Sequence, residues 1–201
     1  MAKLTQVRKS AYYLTEPAVR FLARRHITPT TLTLSGFLIT LGAAVLIATG
    51  HLFIAGFVIL VAGFFDMLDG ALARRTDQVT RFGAVLDSVL DRVSDAVPLL
   101  GILIFYLFFR DQSAVGILLV GLALIGAPLV SYIRARAEAL GLECEVGLFT
   151  RAERVIVLAV GLWLSPFVNY ALNIALAVIA VFSFVTAGQR LVYVRQRIKT
   201  K

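Results

Sequence analysis

The sequence predicts an all-α, polytopic membrane protein with six transmembrane helices and an N-terminal interfacial amphipathic helix. Of its 201 residues, 59% are hydrophobic and only 16% are charged, whereas a soluble domain carries about 25% charged residues. The hydrophobic residues fall into long runs, each near or above the roughly 20 residues that cross a bilayer as a helix. Basic residues gather on one side of the topology that these runs imply. Together these features exclude an ordinary soluble domain.

The N-terminal segment, 1–28, has the pattern of a cytoplasmic juxtamembrane region. Met1–Lys9 is polar and basic and lacks the apolar core of a signal peptide, so we expect no cleaved leader. Between 11 and 25, aromatic residues such as Phe21 alternate with basic residues such as Arg20. This alternation is typical of a helix that lies in the membrane interface.

Six apolar stretches follow the juxtamembrane region. Pro29, with threonines around it, is suited to the first turn of the first helix. The predicted spans are about 29–50, 52–75, 82–109, 113–139, 150–168 and 170–193. A polar linker, 140–149, separates the fourth from the fifth, and a basic tail, 194–201, follows the sixth. We therefore expect residues 1–201 to form one membrane domain.

The charge distribution tests the number of spans. With six spans, both termini lie on one side, and of the 20 Lys and Arg residues only Arg110 falls on the other side. Positive residues mark the cytoplasmic side, so we expect a multi-pass plasma-membrane protein with both termini in the cytoplasm. The net charge of +8 then serves topology and attraction to anionic membrane lipids. The apolar bulk argues against a nucleic-acid partner.

Acidic residues interrupt the second and third spans. Asp66 and Asp69 are three residues apart, and Asp87 and Asp91 are four apart, so each pair lies on one face of its helix. A carboxylate in the bilayer costs several kcal/mol and normally needs a partner or a function. If the two helices face each other, the four carboxylates converge.

Converging carboxylates repel one another unless cations lie between them. Oxygen ligands favour hard divalent ions such as Mg²⁺, Mn²⁺ or Ca²⁺, and four carboxylates suit two ions roughly 3.5–4 Å apart. Asp66 lies roughly 21 Å along a helix that begins near Leu52, which places the site in the cytoplasmic third of the membrane. Ion pairing with Arg74 and Arg92 is the structural alternative, but the acids outnumber these bases. Arg92 and Asp95 are predicted to have supporting roles.

The acidic segment resembles the signature of the CDP-alcohol phosphotransferase family. It reads D-M-L-D-G-A-L-A-R, then eight residues, then G-A-V-L-D-S-V-L-D. The fixed positions of the signature are Asp66, Asp69, Gly70, Ala73, Arg74, Gly83, Asp87 and Asp91. The resemblance implies a homodimeric enzyme that moves a lipid phosphate from a CDP-lipid to an alcohol and releases CMP by direct displacement.

The same resemblance implies roles for individual residues. Asp66, Asp69 and Asp87 match metal ligands, and Asp91 matches the remaining ligand and the general base. The matches to CDP-lipid contacts are Thr30, Thr31, Leu32, Thr33, Asp69, Gly70, Ala73, Arg74, Thr80 and Gly83. Thr30 stands where the family often has Asn. The cofactors implied are two divalent metals, Mg²⁺ or Mn²⁺.

Arginines near the cytoplasmic helix ends are candidates for binding the acceptor. Arg134, Arg151, Arg154 and Arg190 could grip a phosphate, although positive-inside topology also accounts for such residues. The segments S-Y-I-R-A-R-A-E and R-A-E-R resemble a subgroup of the family, the bacterial phosphatidylinositol-phosphate synthases. That resemblance implies CDP-diacylglycerol as donor and 1L-myo-inositol 1-phosphate as acceptor.

Three alternatives stay open on the sequence alone. A phosphatidylglycerophosphate synthase would use glycerol 3-phosphate and needs a similar phosphate grip. An archaetidylinositol-phosphate synthase would use CDP-archaeol as donor. A divalent-cation transporter also carries acids in the membrane, but it more often places them at the midplane on broken helices. Measuring CMP release with each acceptor separately distinguishes the acceptors. Uptake of metal into liposomes without CMP release would indicate the transporter.

Overall fold

All regular secondary structure in the described part of the chain is helical, as the sequence predicts. The computed structural model describes residues 16–25, 28–76, 80–109 and 113–199. The helices are α1 (16–24), α2 (Pro29–Ala48), α3 (Leu52–Thr76), α4 (Arg81–Phe108), α5 (Ala114–Ala139), α6 (Arg151–Leu164) and α7 (Ala171–Lys199). The N-terminal part of the predicted interfacial helix, 11–15, lies outside the described residues.

The last two helices differ from the predicted spans. The fifth span was expected to reach 168, but α6 ends at Leu164. Pro166 has no amide hydrogen to continue the helix, and the amides of Phe167 and Val168 both donate to the Leu164 carbonyl. In contrast, α7 continues through the predicted basic tail to Lys199. No proline or glycine follows Gly188 to end it.

In the described ranges, four helices are long and apolar enough to cross a membrane, namely α2, α3, α5 and α7. Helices α4 and α6 do not meet these requirements of length and apolarity, each for a different reason. Helix α4 has 28 residues but carries several charges in its first half, and α6 has only 14 residues, about 21 Å against a hydrocarbon core of about 30 Å. The chain is therefore a helical membrane protein in which α4 and α6 depart from the pattern of long, uniformly apolar helices.

The helices pack as a closed bundle. Helix α2 lies against α3 and α4, α3 against α6, α5 against α4 and α7, and α6 against α7. The main core contains Ile47, Ile59, Ile102, Val120 and Leu172, one from each of five helices. Core residues such as Ile59 and Leu99 line a cavity together with Asp66 and Asp95, so the core borders the acidic residues.

Small residues bring α2 close to α3 and α4. A Cβ added at Gly101 would lie 2.6 Å from the Ala44 carbonyl oxygen, so the α2 and α4 backbones touch there. A Cβ at Gly36 would lie 3.3 Å from the Phe65 Cβ atom. Through these contacts α2 holds the acidic half of α4 beside the acidic half of α3.

Side-chain caps begin α4 and α6. The Thr80 hydroxyl accepts a hydrogen bond from the Gly83 amide at 2.9 Å at the start of α4. The Glu153 carboxylate accepts from the Thr150 amide at 2.8 Å at the start of α6. Arg151, the first residue of α6, is thereby held at a defined place.

Helix α1 packs across the end of α3. Val19 is buried with Leu68 and Leu72 in a small apolar cluster, and the Glu16 carboxylate accepts from Arg75 at 2.6 Å. The N-terminal helix therefore covers the end of α3 that carries the predicted CDP-lipid contacts.

Candidate functional site

Three carboxylates meet where α3 faces α4. One oxygen each of Asp66, Asp69 and Asp87 lies within 4.8 Å of the other two. Asp66 and Asp87 are half-buried, whereas Asp69 is only 5% exposed. The spacing of the acids on each helix thus produces a compact, partly shielded group of negative charges.

The environment of the Asp69 carboxylate shows whether these residues fit a metal. Its Oδ2 atom is buried and has no hydrogen-bond partner among the described residues. A buried carboxylate oxygen without a partner is costly. A divalent cation held by Asp66, Asp69 and Asp87 would satisfy it, and three carboxylates are a suitable donor set for Mg²⁺ or Mn²⁺. The residues therefore fit a divalent metal.

Asp91, the fourth predicted ligand, lies outside this group of three and is engaged by an arginine. Arg151 Nη1 donates to Asp91 Oδ1 at 2.5 Å, and the same nitrogen donates to Asp66 Oδ2. Arg151 Nε also donates to Asp95 Oδ1 at 3.2 Å. One guanidinium thus joins α6 to carboxylates on both α3 and α4.

A second arginine from α6 pairs with Asp95. Arg154 Nη2 donates to Asp95 Oδ2 at 2.5 Å, and Arg154 is only 5% exposed. Its Nε and Nη1 atoms are buried without a hydrogen-bond partner in the described ranges. Two buried cationic donors aimed at no protein acceptor indicate a place for an anion.

Asp95 pairs with both arginines of α6. The sequence predicts a supporting role for Asp95 but not these partners. Its position along α4 is the signal that could have identified it. Asp87, Asp91 and Asp95 follow one another at four-residue intervals, so they form one stripe along α4.

The predicted acceptor-binding arginines meet in one polar cavity of about 500 Å³. Arg134 comes from α5, Arg151 and Arg154 from α6, and Arg190 from α7, and the cavity wall also includes Asp87 and Asp91. A cavity lined by four arginines therefore opens directly beside the carboxylate group.

Arg134 and Arg190, the other two arginines of the cavity, also have protein partners. Arg134 donates to the Glu138 carboxylate at 2.8 Å, one turn along α5. Arg190 donates from Nε to the Val146 carbonyl at 2.8 Å and from Nη1 to the Val130 carbonyl at 2.5 Å. Arg190 thus also anchors the 140–150 linker, which gives it a structural role in addition to the predicted one.

The predicted CDP-lipid contacts lie around the other side of the carboxylates. Arg74 is exposed and folds back over Gly70, where an added Cβ would lie 3.4 Å from its Nη1 atom. Ala73 on the same helix is half-buried. Across from them, Thr80 and Gly83 form the cap of α4.

The α2 segment of the predicted contacts divides into exposed and buried residues. Thr30 and Thr31 are exposed at the start of the helix, and Thr33 contacts the Asp69 side chain. Leu32 is buried at 4% exposure against Val19 and α3. Its side chain therefore belongs to the core, and only its backbone is available for a nucleotide contact.

Comparison with known proteins places this arrangement in context. The model of the CDP-alcohol phosphatidyltransferase family matches residues 26–187. An archaetidylinositol phosphate synthase from Methanothermobacter thermautotrophicus is 40% identical over 84% of this chain and 83% of its own length. A phosphatidylinositol phosphate synthase from Mycobacteroides abscessus is 41% identical over 90% of this chain and 84% of its own length.

Solved structures agree with the sequence relatives. The phosphatidylinositol phosphate synthase of Mycobacterium tuberculosis with CDP-DAG bound matches with a TM-score of 0.82 and 36% identity, over 90% of this chain and 94% of that one. The same enzyme in complex with manganese and citrate matches with a TM-score of 0.81 and 37% identity, over 90% and 88% of the two chains.

Proposed function

Since this chain belongs to the CDP-alcohol phosphatidyltransferase family, we propose that it transfers the phosphatidyl group of CDP-diacylglycerol to 1L-myo-inositol 1-phosphate. The products are phosphatidylinositol phosphate and CMP, and the chain serves phospholipid biosynthesis. The observation that supports a phosphate-bearing acceptor is the cavity beside the carboxylates, where four arginines meet. A phosphate-bearing acceptor needs such a grip, whereas an uncharged alcohol does not. The similarity to phosphatidylinositol phosphate synthases favours inositol phosphate over glycerol 3-phosphate.

A divalent metal is part of this chemistry. The carboxylates of Asp66, Asp69 and Asp87 would hold it, with Asp91 completing a set for two ions, Mg²⁺ or Mn²⁺. When bound, such ions neutralise the diphosphate and stabilise the charge that develops during in-line displacement. Metal dependence of this kind agrees with the manganese complex of the tuberculosis enzyme.

The residues around the carboxylates bind and orient the donor. Arg74 lies over Gly70, within reach of a diphosphate that approaches the carboxylates. The exposed threonines at the start of α2 and the Thr80 cap line the approach for the cytidine moiety. The lipid chains of the donor enter sideways from the bilayer, because the site lies near one end of the spanning helices.

Asp91 acts as the general base. Its carboxylate lines the arginine cavity, so an acceptor hydroxyl held there lies within its reach. The hydroxyl oxygen forms a bond to the phosphatidyl phosphorus, the bond to CMP breaks, and the hydroxyl proton passes to Asp91. Both products leave without a covalent enzyme intermediate.

The membrane arrangement belongs to the same proposal. Helices α4 and α6 join the four apolar helices to make six spans, and α1 lies at the interface. The distribution of basic residues supports an orientation with both termini and the site on the cytoplasmic face of the plasma membrane. Residues 1–201 form one domain, and two copies form a homodimer.

The acceptor is tested by offering each substrate to the purified full-length protein. With CDP-diacylglycerol and Mg²⁺ or Mn²⁺, we expect CMP release with inositol 1-phosphate and at least about tenfold less with glycerol 3-phosphate, since the missing inositol hydroxyls leave polar groups unpaired. Free inositol without phosphate is the control for the arginine grip. CMP release with glycerol 3-phosphate but not with inositol 1-phosphate would reject inositol 1-phosphate as the acceptor.

The archaeal relative supports a second candidate that differs only in the donor. At 40% identity, a protein named archaetidylinositol phosphate synthase is as similar as the bacterial enzymes. Replacing CDP-diacylglycerol by CDP-archaeol in the same assay distinguishes the two donors. The family assignment favours either transfer reaction over divalent-cation transport.

Arg154→Gln is expected to weaken binding of the acceptor but not of the donor. Its unpartnered buried donors are available to the acceptor phosphate, and a charge-assisted hydrogen bond is worth about 1.5–3 kcal/mol. We therefore expect KM for inositol 1-phosphate to rise about tenfold or more, with KM for CDP-diacylglycerol nearly unchanged. Steady-state kinetics on a monodisperse preparation measures both.

Arg136→Gln is the matched control, because Arg136 is exposed on α5 and is not among the cavity-lining residues. It should leave both KM values within about twofold, as surface substitutions usually do. Equal effects of the two substitutions would contradict the role of Arg154.

A further inference from the structure

Arg151 stands between the metal ligands and the anion cavity, and it touches both. We propose that Arg151 occupies the place of a divalent cation between α3 and α4 until an anion in the arginine cavity draws it away, so that metal and acceptor phosphate bind with positive coupling. This inference rests on the proposed function of the site. It assigns to Arg151 the coupling between binding of the metal and binding of the acceptor phosphate.

The geometry gives Arg151 the contacts of a bridging cation. Its Nη1 atom donates to Asp66 on α3 and to Asp91 on α4. Both carboxylates are among the predicted metal ligands, and Asp66 also lies in the compact group with Asp69 and Asp87. A single positive group thus bridges two ligands that a metal would otherwise contact.

A metal must compete with this guanidinium. Carboxylates paired with Arg151 are less available to a divalent cation, and two positive charges between the same acids repel each other. Arg151 is 25% exposed in its side chain, so it has room to leave towards the cavity. Metal binding is therefore weakened as long as Arg151 stays.

The cavity offers the alternative position. Arg151 lines it together with Arg154, whose two buried donors lack protein partners in the described ranges. A phosphate there would gain hydrogen bonds from both arginines. The Glu153 cap fixes the backbone at the start of α6, and Asp95 contacts Arg151 Nε. Only the end of the Arg151 guanidinium therefore moves from the carboxylates to the cavity.

Reciprocity follows from this competition. An anion that draws Arg151 off the carboxylates must raise metal affinity by the same factor by which metal raises anion affinity. Couplings between sites commonly amount to about 5–150-fold. The enzyme would then assemble its metals fully only when the acceptor phosphate is in place.

The test measures Mn²⁺ binding and needs no turnover. Full-length protein in phosphatidylcholine nanodiscs is titrated with Mn²⁺, and free Mn²⁺ is followed by electron paramagnetic resonance, with and without sulfate as a tetrahedral dianion at constant ionic strength. For the unaltered protein we expect sulfate to tighten Mn²⁺ binding about fivefold or more. Arg151→Gln should bind Mn²⁺ about tenfold tighter without sulfate and gain less than about twofold from sulfate.

Arg134→Gln is the matched control, because it removes the same charge from the same cavity while its partner is Glu138 and not a metal ligand. Its Mn²⁺ affinity should stay within about threefold of the unaltered protein, since a separated charge is screened. Arg151→Lys keeps the charge but loses the two-carboxylate bridge, and its Mn²⁺ affinity should fall between those of the unaltered protein and Arg151→Gln.

Two results would overturn the inference: Arg151→Gln binding Mn²⁺ no more tightly than Arg134→Gln, or sulfate leaving the affinity of the unaltered protein unchanged. Loss of Mn²⁺ binding in both Arg151 variants would overturn it as well. The acceptor assay judges the proposed function separately, because the coupling is measured without CDP-diacylglycerol or inositol phosphate.

Discussion

Asp69→Asn is expected to abolish Mn²⁺ binding and to lower CMP release by at least about 10³-fold, because a metal supplies several kcal/mol of transition-state stabilisation. Asp69 is the most buried of the three clustered acids, and its Oδ2 atom has no protein partner in the described residues. The amide keeps the shape of the side chain but removes the charge and one acceptor oxygen. Mn²⁺ titration and initial rates of CMP release measure the two losses.

Glu145→Gln is the control for loss of a carboxylate at the same end of the bundle. Glu145 is exposed on the 140–150 linker, away from the clustered acids, and we expect its substitution to change the rate by less than about twofold. If Asp69→Asn kept more than about one tenth of the rate at saturating Mn²⁺, the three-carboxylate metal site would be wrong.

Asp91→Asn is expected to separate proton transfer from metal binding. A positioned general base contributes about 10²–10⁴ in rate, so kcat should fall by that factor while KM for CDP-diacylglycerol changes little. One Mn²⁺ ion should still bind, because Asp66, Asp69 and Asp87 form a compact group without Asp91. Single-turnover CMP release and Mn²⁺ titration of the same preparation distinguish the two effects.

Asp95→Asn is the matched comparison for Asp91, one turn further along the same face of α4. Asp95 pairs with Arg151 and Arg154, so its loss should act mainly on KM for the acceptor phosphate. A kcat of Asp91→Asn within about tenfold of the unaltered protein would exclude the general-base role. Equal loss of Mn²⁺ binding in Asp69→Asn and Asp91→Asn would instead make Asp91 chiefly a ligand.

The helices could be predicted closely where apolar runs are bounded by turn residues. Pro29 and the Thr80 cap begin α2 and α4 at or next to the expected positions. The ends of α6 and α7 could not be predicted as well. Hydropathy continues past Leu164, although Pro166 stops the hydrogen-bond ladder. Arg195, Arg197 and Lys199 remain helical because charge by itself does not end a helix.

The candidate site was only partly predictable for a related reason. Helical spacing places Asp66 with Asp69 and Asp87 with Asp91 on their faces before any packing is known. The partner of Arg151 could not be inferred, since Asp66 lies 85 residues away in the chain and an arginine side chain reaches several acceptors. The burial of Leu32 against α1 likewise depends on a helix whose docking the pattern did not specify.

By itself, the sequence determined the helical membrane class, the acidic faces of α3 and α4, and the residue types suited to metal and phosphate, because periodicity and composition act locally. Only the tertiary structure decided which polar groups meet: Asp95 with two arginines, Arg190 with one carbonyl of α5 and one of the linker, and Arg151 with carboxylates on different helices. Long side chains choose partners by distance and burial, and both arise only when the helices pack together.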